Sequence, residues 1–401
     1  MSLPPLQPAQ RVKPHLFEAR ISLLFGAIFL SQGVHLPYFP LWLEAQGFDA
    51  AQIGVVLATP MFLRVVTTPL ITSFADRAGD RANVLIAISI GAIILSLGYF
   101  LPPSYGVVLA VSAFLAVSWA PQTPLADSLA LSGVRRFGCS YSKIRIWGSL
   151  SFLAASFGGG LILAATGAGS VPVMITIGLA SVLLATLAAP RLGPPRKASP
   201  LSASALQDAP RLLSRYFVLF VAGVGIINAS HGFLFGFMSI YWKSIGISDG
   251  MIGALWTWAV VAEVCIFFLY DRLFGAVPAT RVLAIAGASA IVRWIVYPLV
   301  EPLGLGVPGF FFVQSLHAVS TGLLLIGLQK MIAESAPEER TGAAQGIAFF
   351  SVGFCMAVVT LASGPLYQRY GIDGIYAMAA LSAVGLGLVL MAAVSPRAVS
   401  P

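Results

Sequence analysis

Long apolar runs and short polar breaks alternate twelve times along the chain. The runs cover residues 16–42, 51–74, 83–101, 106–131, 141–165, 171–189, 215–241, 249–270, 280–300, 306–330, 341–366 and 372–394. Each approaches the roughly 20 residues that a helix needs to cross about 30 Å of hydrocarbon. A backbone in lipid must satisfy its own hydrogen bonds, so runs of this length are predicted to be helices. Glycine (40 residues) and proline (26) are frequent inside the runs, as membrane helices tolerate. Gly342 with Gly346, and the Gly158–Gly160 cluster, are expected helix contacts. The predicted fold class is an all-α membrane protein with twelve transmembrane helices.

One polar break is longer than the rest. Residues 190–214, "PRLGPPRKASPLSASALQDAPRLLS", are rich in Pro, Ser and Ala and carry four basic residues. They read as a linker between two six-helix halves, 1–189 and 215–401. An offset of 199 partly superimposes these halves. It lays "YFPLWLEAQG" (38–47) on "FMSIYWKSIG" (237–246) and "AQIG" (51–54) on "GMIG" (250–253). It also puts Arg64 on Glu263 and Gln32 on His231. An internal repeat of this kind is how rocking transporters are built, with substrate bound near the midplane.

Composition supports a lipid environment. Hydrophobic residues make up 58% of the 401, charged residues only 9%, and mean hydropathy is +0.90. Soluble domains average about 25% charged. The net charge of +8 does not indicate nucleic acid, because the basic residues punctuate apolar runs and form no single face or tail. Cys139, Cys265 and Cys355 are odd in number and scattered, so no disulfide framework is expected. Arg11 and Lys13 precede the first run and Arg20 lies at its start, and the run reads as a span and not as a cleaved signal. Of the 23 Lys and Arg, Lys243 and Arg369 fall on one side of the membrane and Arg64, Arg145 and Arg293 lie within spans. The remainder lie on the other side with both termini, which predicts cytoplasmic termini in a cytoplasmic (inner) membrane.

Against this background the polar residues inside spans carry the candidate chemistry. "GALWTWAVVAEVCIFFLYDR" (253–272) holds Glu263 near mid-membrane, where a carboxylate is expensive. It is either a paired or neutral packing residue or a proton site. Burial and a nearby cation push a carboxyl in opposite directions, so a balanced group can load and release a proton. Arg293 and His317, in the ninth and tenth spans, are its candidate partners. Asp127 and Arg145 each lie nine residues from Arg136, the centre of the turn between spans four and five. In an antiparallel pair they reach similar depth, at most ~13 Å, and can meet. They form either a structural ion pair or a substrate site in which Arg145 grips a carboxylate. Arg64 is either a structural tie or a second anion anchor. Gln32, His35 and His231 read as polar groups lining a cavity. Trp258, five residues before Glu263, either anchors at the membrane face or walls that cavity, as a phenyl-bearing carboxylate would need.

Motifs add a resemblance. "SFADRAGDR" carries Asp76, Arg77, Gly79 and Arg81 and resembles the loop motif of major facilitator transporters, with Thr72 where a glycine usually stands. "LPYFPLWL", "PLADSLAL", "YSKIRIWGSL", "VVAEV" and "QSLHAVS" together resemble the 3-phenylpropionic acid transporter family over nearly the whole chain. A more distant resemblance is to lactose-type and nucleoside-type proton symporters. It aligns Asp127, Arg145, Glu263, Arg293 and His317 with their intramembrane charges. The chain departs from the lactose type at Ser320 and Gln314, where an acid and a lysine usually flank the histidine.

These resemblances imply the major facilitator fold and proton-coupled import of a small organic anion such as 3-phenylpropionate. Symport of an uncharged sugar or nucleoside is the alternative. Asp76, Arg77, Gly79 and Arg81 would latch one conformational state. The expected partners are a small-molecule substrate, protons and the bilayer, for a monomer without nucleic acid, metal or cofactor. No clustered nucleophile or metal-ligand set points to an enzyme.

Overall fold

The computed structural model describes residues 12–193, 214–335 and 341–395, and they are helical in every predicted run. The 190–214 linker lies mostly outside the described residues. In order the helices are α1 (Phe17–Ala45), α2 (Ala50–Arg77), α3 (Arg81–Ser96), α4 (Tyr105–Trp119), α5 (Gln122–Phe137), α6 (Tyr141–Thr166) and α7 (Val171–Ala188). They continue as α8 (Arg215–Ala229), α9 (Gly232–Ser244), α10 (Asp249–Phe274), α11 (Ala279–Val296), α12 (Gly306–Ser315), α13 (Leu323–Ser335), α14 (Thr341–Tyr370) and α15 (Tyr376–Ala393). Eleven stretches are long and apolar enough to cross a membrane. The last, Ala344–Ala393, takes in both α14 and α15, so the spans number twelve among the described residues.

Three spans are built from two helices each, and the breaks have local causes. Span four changes from α4 to α5 at Ala120-Pro121, where proline offers no N–H to the preceding turn. Span seven breaks at Ser230-His231. There the Ser230 hydroxyl donates to Ile227 O (2.7 Å) and His231 Nδ1 lies 3.2 Å from Asn228 O. Side chains thus compete for carbonyls of the helix they end. Span ten joins α12 to α13 through a π-turn, Ala318–Gly322.

Among the described residues, 12–48, 59–193 and 248–254 form one compact unit, and 49–58, 214–247, 255–335 and 341–395 a second. The starts of α2 and α10 therefore each pack in the unit that holds the other half's helices. In the first unit, Phe17, Ile21, Phe25 and Ile28 of α1 pack with Leu125 and Leu129 of α5, Ile144 of α6 and Val182 of α7. Lipid outside is as apolar as these side chains, so close packing and hydrogen bonds must hold the helices together. A Cβ on Gly33 would sit 2.7 Å from Phe152 O, and one on Gly178 would sit 2.8 Å from Ser31 Cβ. Large apolar residues such as Phe268 (77% exposed) and Leu184 (68%) point outward, while Arg293 is fully buried. That inversion of the soluble pattern is what a lipid solvent selects.

The expected glycine contacts divide. Gly159 and Gly160 pack against Tyr38, whose hydroxyl donates to Ser156 O. Gly158 and Gly346 have nothing within 4 Å of a would-be Cβ, so neither marks a close helix contact. The side-chain surroundings of Gly342 lie outside the described residues.

The loop after α2 is held by its own charges. Arg81 donates from Nε and Nη2 to Asp76 Oδ1, at 2.8 and 2.6 Å, and its Nη1 lies 3.5 Å from Ser132 Oγ. Asp80 caps α3 by accepting from Ala82 N (2.8 Å), and its second oxygen accepts from Gly193 N (2.8 Å). A Cβ on Gly79 would meet nothing within 4 Å. Arg77 ends α2 in its last turn, where a cation favours the helix dipole.

Candidate functional site

In the second unit, α9, α10, α11 and the π-turn bring polar side chains together inside the membrane-spanning region. Arg293 on α11 is fully buried. Its Nη2 donates to Gln314 Oε1 (2.5 Å) and its Nη1 lies 3.0 Å from His317 Nδ1 and 3.3 Å from Ser320 Oγ. The guanidinium carbon also lies 4.8 Å from the centre of the Trp294 ring. Every direct acceptor is neutral. The negative charge arrives one residue further on, where Glu263 Oε2 lies 3.4 Å from His317 Nε2.

This chain fixes a tautomer. A guanidinium nitrogen can only donate, so His317 Nδ1 must be the bare acceptor and its ring hydrogen sits on Nε2. Nε2–H then points at the carboxylate. At 3.4 Å the contact is long for a hydrogen bond, and a movement of a few tenths of an ångström would close it. Carboxylate, imidazole and guanidinium thus form a line in which a partly buried carboxylate and a fully buried guanidinium offset each other through a neutral ring.

His231 stands beside them at the break in span seven. Its ring is edge-on to Trp294 (4.9 Å between centres) and 5.9 Å from the His317 ring. Nε2 lies 3.3 Å from Ser320 Oγ and 3.0 Å from Thr321 Oγ1, and Thr321 Oγ1 is also 3.3 Å from His317 Nδ1. The π-turn starts directly after His317 and delivers both hydroxyls. Such turns are rare and concentrate at functional sites. A Cβ on Gly322 would lie 2.8 Å from Ile266 Cγ2 and 3.4 Å from Glu263 Cγ, so glycine lets α10 approach here. Gly322→Ala is expected to cost about 1–3 kcal/mol through overpacking. A thermal-unfolding midpoint equal to the wild type's would contradict it.

Trp258 lies on the same unit, 42% exposed. Its Nε1 donates to Ser315 Oγ (2.8 Å) and its ring is edge-on to Phe311 at 5.9 Å.

The first unit holds a second set. Asp127 and Arg145 lie near each other, as equal depth allows, but no direct ion pair within 4 Å joins them, and Tyr141 meets both. The Tyr141 hydroxyl donates to Asp127 Oδ1 (2.7 Å) instead. Arg145 lies flat on Phe29, 3.9 Å from its ring centre, and 5.4 Å from that of Phe25. Equal depth was a sound inference, but it fixed no azimuth. Tyr141 lies four residues before Arg145 on one helix face and takes the acid. Gly148 makes room for the guanidinium, since a Cβ there would sit 2.9 Å from Nη1.

Gln32 Nε2 donates to Thr123 Oγ1 (3.2 Å). His35 stacks on Phe39 (4.5 Å) and meets Trp119 edge-on (4.9 Å). Arg64 is half-buried and makes no hydrogen bond or ion pair with any described residue. A tie from Arg64 to Asp127 is therefore absent from this structure. The buried Trp119 Nε1 and both amide atoms of Gln122 also lack a described partner.

Glu263, Arg293, His317 and His231 thus form one cluster; in the first unit Asp127 and Arg145 meet at Tyr141, while Gln32 and His35 have other neighbours and Arg64 has no described partner. Sequence reading did not single out Tyr141, Thr321 or the acceptor role of Gln314. Thr321 was findable: it follows His317 by four positions and shares its helix face. Tyr141 had no comparable signal.

These features define a polytopic membrane transporter. The MFS_1 like family model matches residues 19–378, and the chain belongs to that family. A relative from Escherichia coli (strain K12) called "Probable 3-phenylpropionic acid transporter" is 28% identical over 371 residues, covering 91% of this chain and 96% of that one. The maltose permease of Geobacillus stearothermophilus is 26% identical over 384 residues, 92% of each chain. Among solved structures, the nucleoside transporter NupG superimposes with a TM-score of 0.78 at 15% identity, covering 95% of this chain and all of that one. A bacterial homologue of the human lysosomal transporter Spinster gives 0.71 at 14% identity, covering 96% and 98%. The fold is that of the major facilitator transporters.

Proposed function

We propose that the protein is a proton-coupled symporter that imports a small organic anion by alternating access, with an aromatic acid such as 3-phenylpropionate as its substrate. The observation that carries the proton part is the Glu263–His317–Arg293 line. A carboxylate held near a cation through one imidazole can exist charged or protonated without dismantling the surrounding bonds. The substrate part is supported by the relative of that name and by Arg145 lying over Phe29 and Phe25. A guanidinium beside two phenyl rings offers both halves of an aryl carboxylate a complement. Arg64 provides a second cation with no described partner. Gln32 and His35 in the first unit, and His231 and Trp258 in the second, are each proposed as polar and aromatic substrate contacts, and Asp127, held by Tyr141, offsets Arg145 when no anion is bound.

The protein acts as a monomer in a bacterial inner membrane with both termini cytoplasmic, and 190–214 links two six-helix halves. The Asp76–Arg81 pair within the loop after α2 steadies one conformational state together with Arg77 and Gly79. The second reading is symport of an uncharged sugar or nucleoside, favoured by similarity to the maltose permease.

The two readings differ in charge. A proton moving with a monoanion carries no net charge, whereas a proton with a neutral sugar is driven by about 2.3 kcal/mol per 100 mV. Purified protein in liposomes therefore tests both. Adding 3-phenylpropionate outside is expected to alkalinise the external medium, with no dependence on an imposed potential. Alkalinisation only with maltose or a nucleoside would overturn the substrate. No proton movement with any of these compounds would overturn the coupling.

A further inference from the structure

We propose that the Thr321 hydroxyl bridges His231 and His317 and makes His231 a second proton-holding residue that feeds Glu263. This rests on the proton-symport reading and extends it by one residue and one path.

Hydrogen bookkeeping carries the argument. His317 Nδ1 is bare because Arg293 donates to it. His231 Nδ1 faces the Asn228 carbonyl at 3.2 Å, and a carbonyl only accepts, so its ring hydrogen is on Nδ1 and Nε2 is bare. Both bare nitrogens point at one oxygen, Thr321 Oγ1, at 3.0 and 3.3 Å. That hydroxyl has one hydrogen and cannot donate to both rings. At rest the accounts still close. Arg293 serves His317 and Ser320, Ser320 serves His231, and the Thr321 hydroxyl is left between two nitrogens whose lone pairs already accept.

Once Arg293 releases His317 Nδ1, one added proton completes the bridge. Placed on His231 Nε2, it donates to Thr321 Oγ1, whose own hydrogen then points to His317 Nδ1. On transfer, His231 gives its Nε2 hydrogen to Thr321 and Thr321 gives its hydrogen to His317 Nδ1. His317 releases its Nε2 hydrogen to the Glu263 carboxylate. One proton has moved from His231 to Glu263, both rings end neutral, and His317 has changed tautomer. The Arg293 Nη1–H occupies the same nitrogen that must receive the hydrogen, so the path opens only when Arg293 withdraws. Arg293 is therefore the gate. The charged groups that face the two rings are Glu263 on α10, against His317, and Arg293 on α11.

The test reads the rings directly. The chain has four histidines, so nitrogen NMR of protein with labelled imidazoles gives few signals, assigned by His231→Gln and His317→Gln. At high pH the expected tautomers are Nδ1–H for His231 and Nε2–H for His317. On acidification the first proton taken up is expected to move the signals of both rings together. In Thr321→Val it should move one ring only, and Thr321→Ser should restore the shared response. Size-exclusion and thermal profiles show that each variant is folded.

In liposomes under a pH gradient, the ratio of 3-phenylpropionate accumulation to exchange should fall about tenfold in Thr321→Val and recover in Thr321→Ser. A first proton confined to one ring in the wild type overturns the relay. So does a shared response that survives in Thr321→Val, whatever transport does. If the wild type moves no protons with 3-phenylpropionate yet the rings share a proton through Thr321, the relay stands and the coupling reading falls.

Discussion

Glu263→Gln is expected to abolish accumulation driven by a pH gradient while leaving exchange of 3-phenylpropionate across the membrane. Glutamine keeps the size of the side chain and an oxygen that can still accept from His317 Nε2–H at the present 3.4 Å approach. What it removes is the site for a proton. One pH unit stores about 1.4 kcal/mol per proton, enough for tenfold accumulation of a symported anion. The wild type should therefore concentrate substrate about tenfold at a difference of one unit, and the variant not at all. The sign with respect to pH follows: inward accumulation in the wild type grows as the outside becomes more acidic, and the variant's profile is flat. The measurement is counterflow and gradient-driven uptake in the same liposome preparation. Uphill uptake by the variant at the wild-type level would remove Glu263 from the coupling path. Loss of counterflow as well would place it in the substrate site instead.

The sequence was most informative where lipid dictates the answer. Twelve spans could be read directly, because each apolar run must close its own hydrogen bonds and has one length that fits the bilayer. Glu263, Arg293 and His317 were legible as a group for a related reason: buried charge in lipid must find company, and few candidates exist. The details that failed are azimuthal. Equal depth for Asp127 and Arg145 did not say which way each points around its helix, and Tyr141 took the carboxylate. A Cβ on Gly346 would meet nothing within 4 Å among the described residues, because glycine alone does not specify which face packs. The π-turn at Ala318–Gly322 was not legible either. Ser320 lies within it and reaches His231, and a pattern read at 3.6 residues per turn cannot register a local change of pitch. Ser320 appeared in the sequence only as a missing acid. In the fold it accepts from Arg293 and reaches His231, so the loss of one ionisable group coincides with the gain of a hydroxyl bridge.

Arg293→Met is the substitution expected to cost the most stability. The guanidinium is fully buried and supplies the hydrogens for Gln314 Oε1, His317 Nδ1 and Ser320 Oγ. Methionine fills part of its volume and offers no donor. Three acceptors then lose their donor, and Glu263 loses its opposite charge across His317. Removing one member of a buried charge pair typically costs about 3–5 kcal/mol, chiefly because the other charge is left uncompensated. Arg293→Lys retains the charge, but a single ammonium cannot span Gln314 and His317 as the planar fork does, so an intermediate loss is expected. The diagnostic comparison is the double variant Arg293→Met with Glu263→Gln. If the cost arises from the stranded carboxylate, neutralising it restores part of the stability, and the two substitutions are strongly non-additive. If it arises from lost packing alone, the double variant is no more stable than Arg293→Met. Half-lives of the four proteins at one elevated temperature in the same detergent distinguish these cases, and they do so even where unfolding is irreversible. An Arg293→Met half-life equal to the wild type's would mean that the guanidinium is not the centre on which this cluster is built.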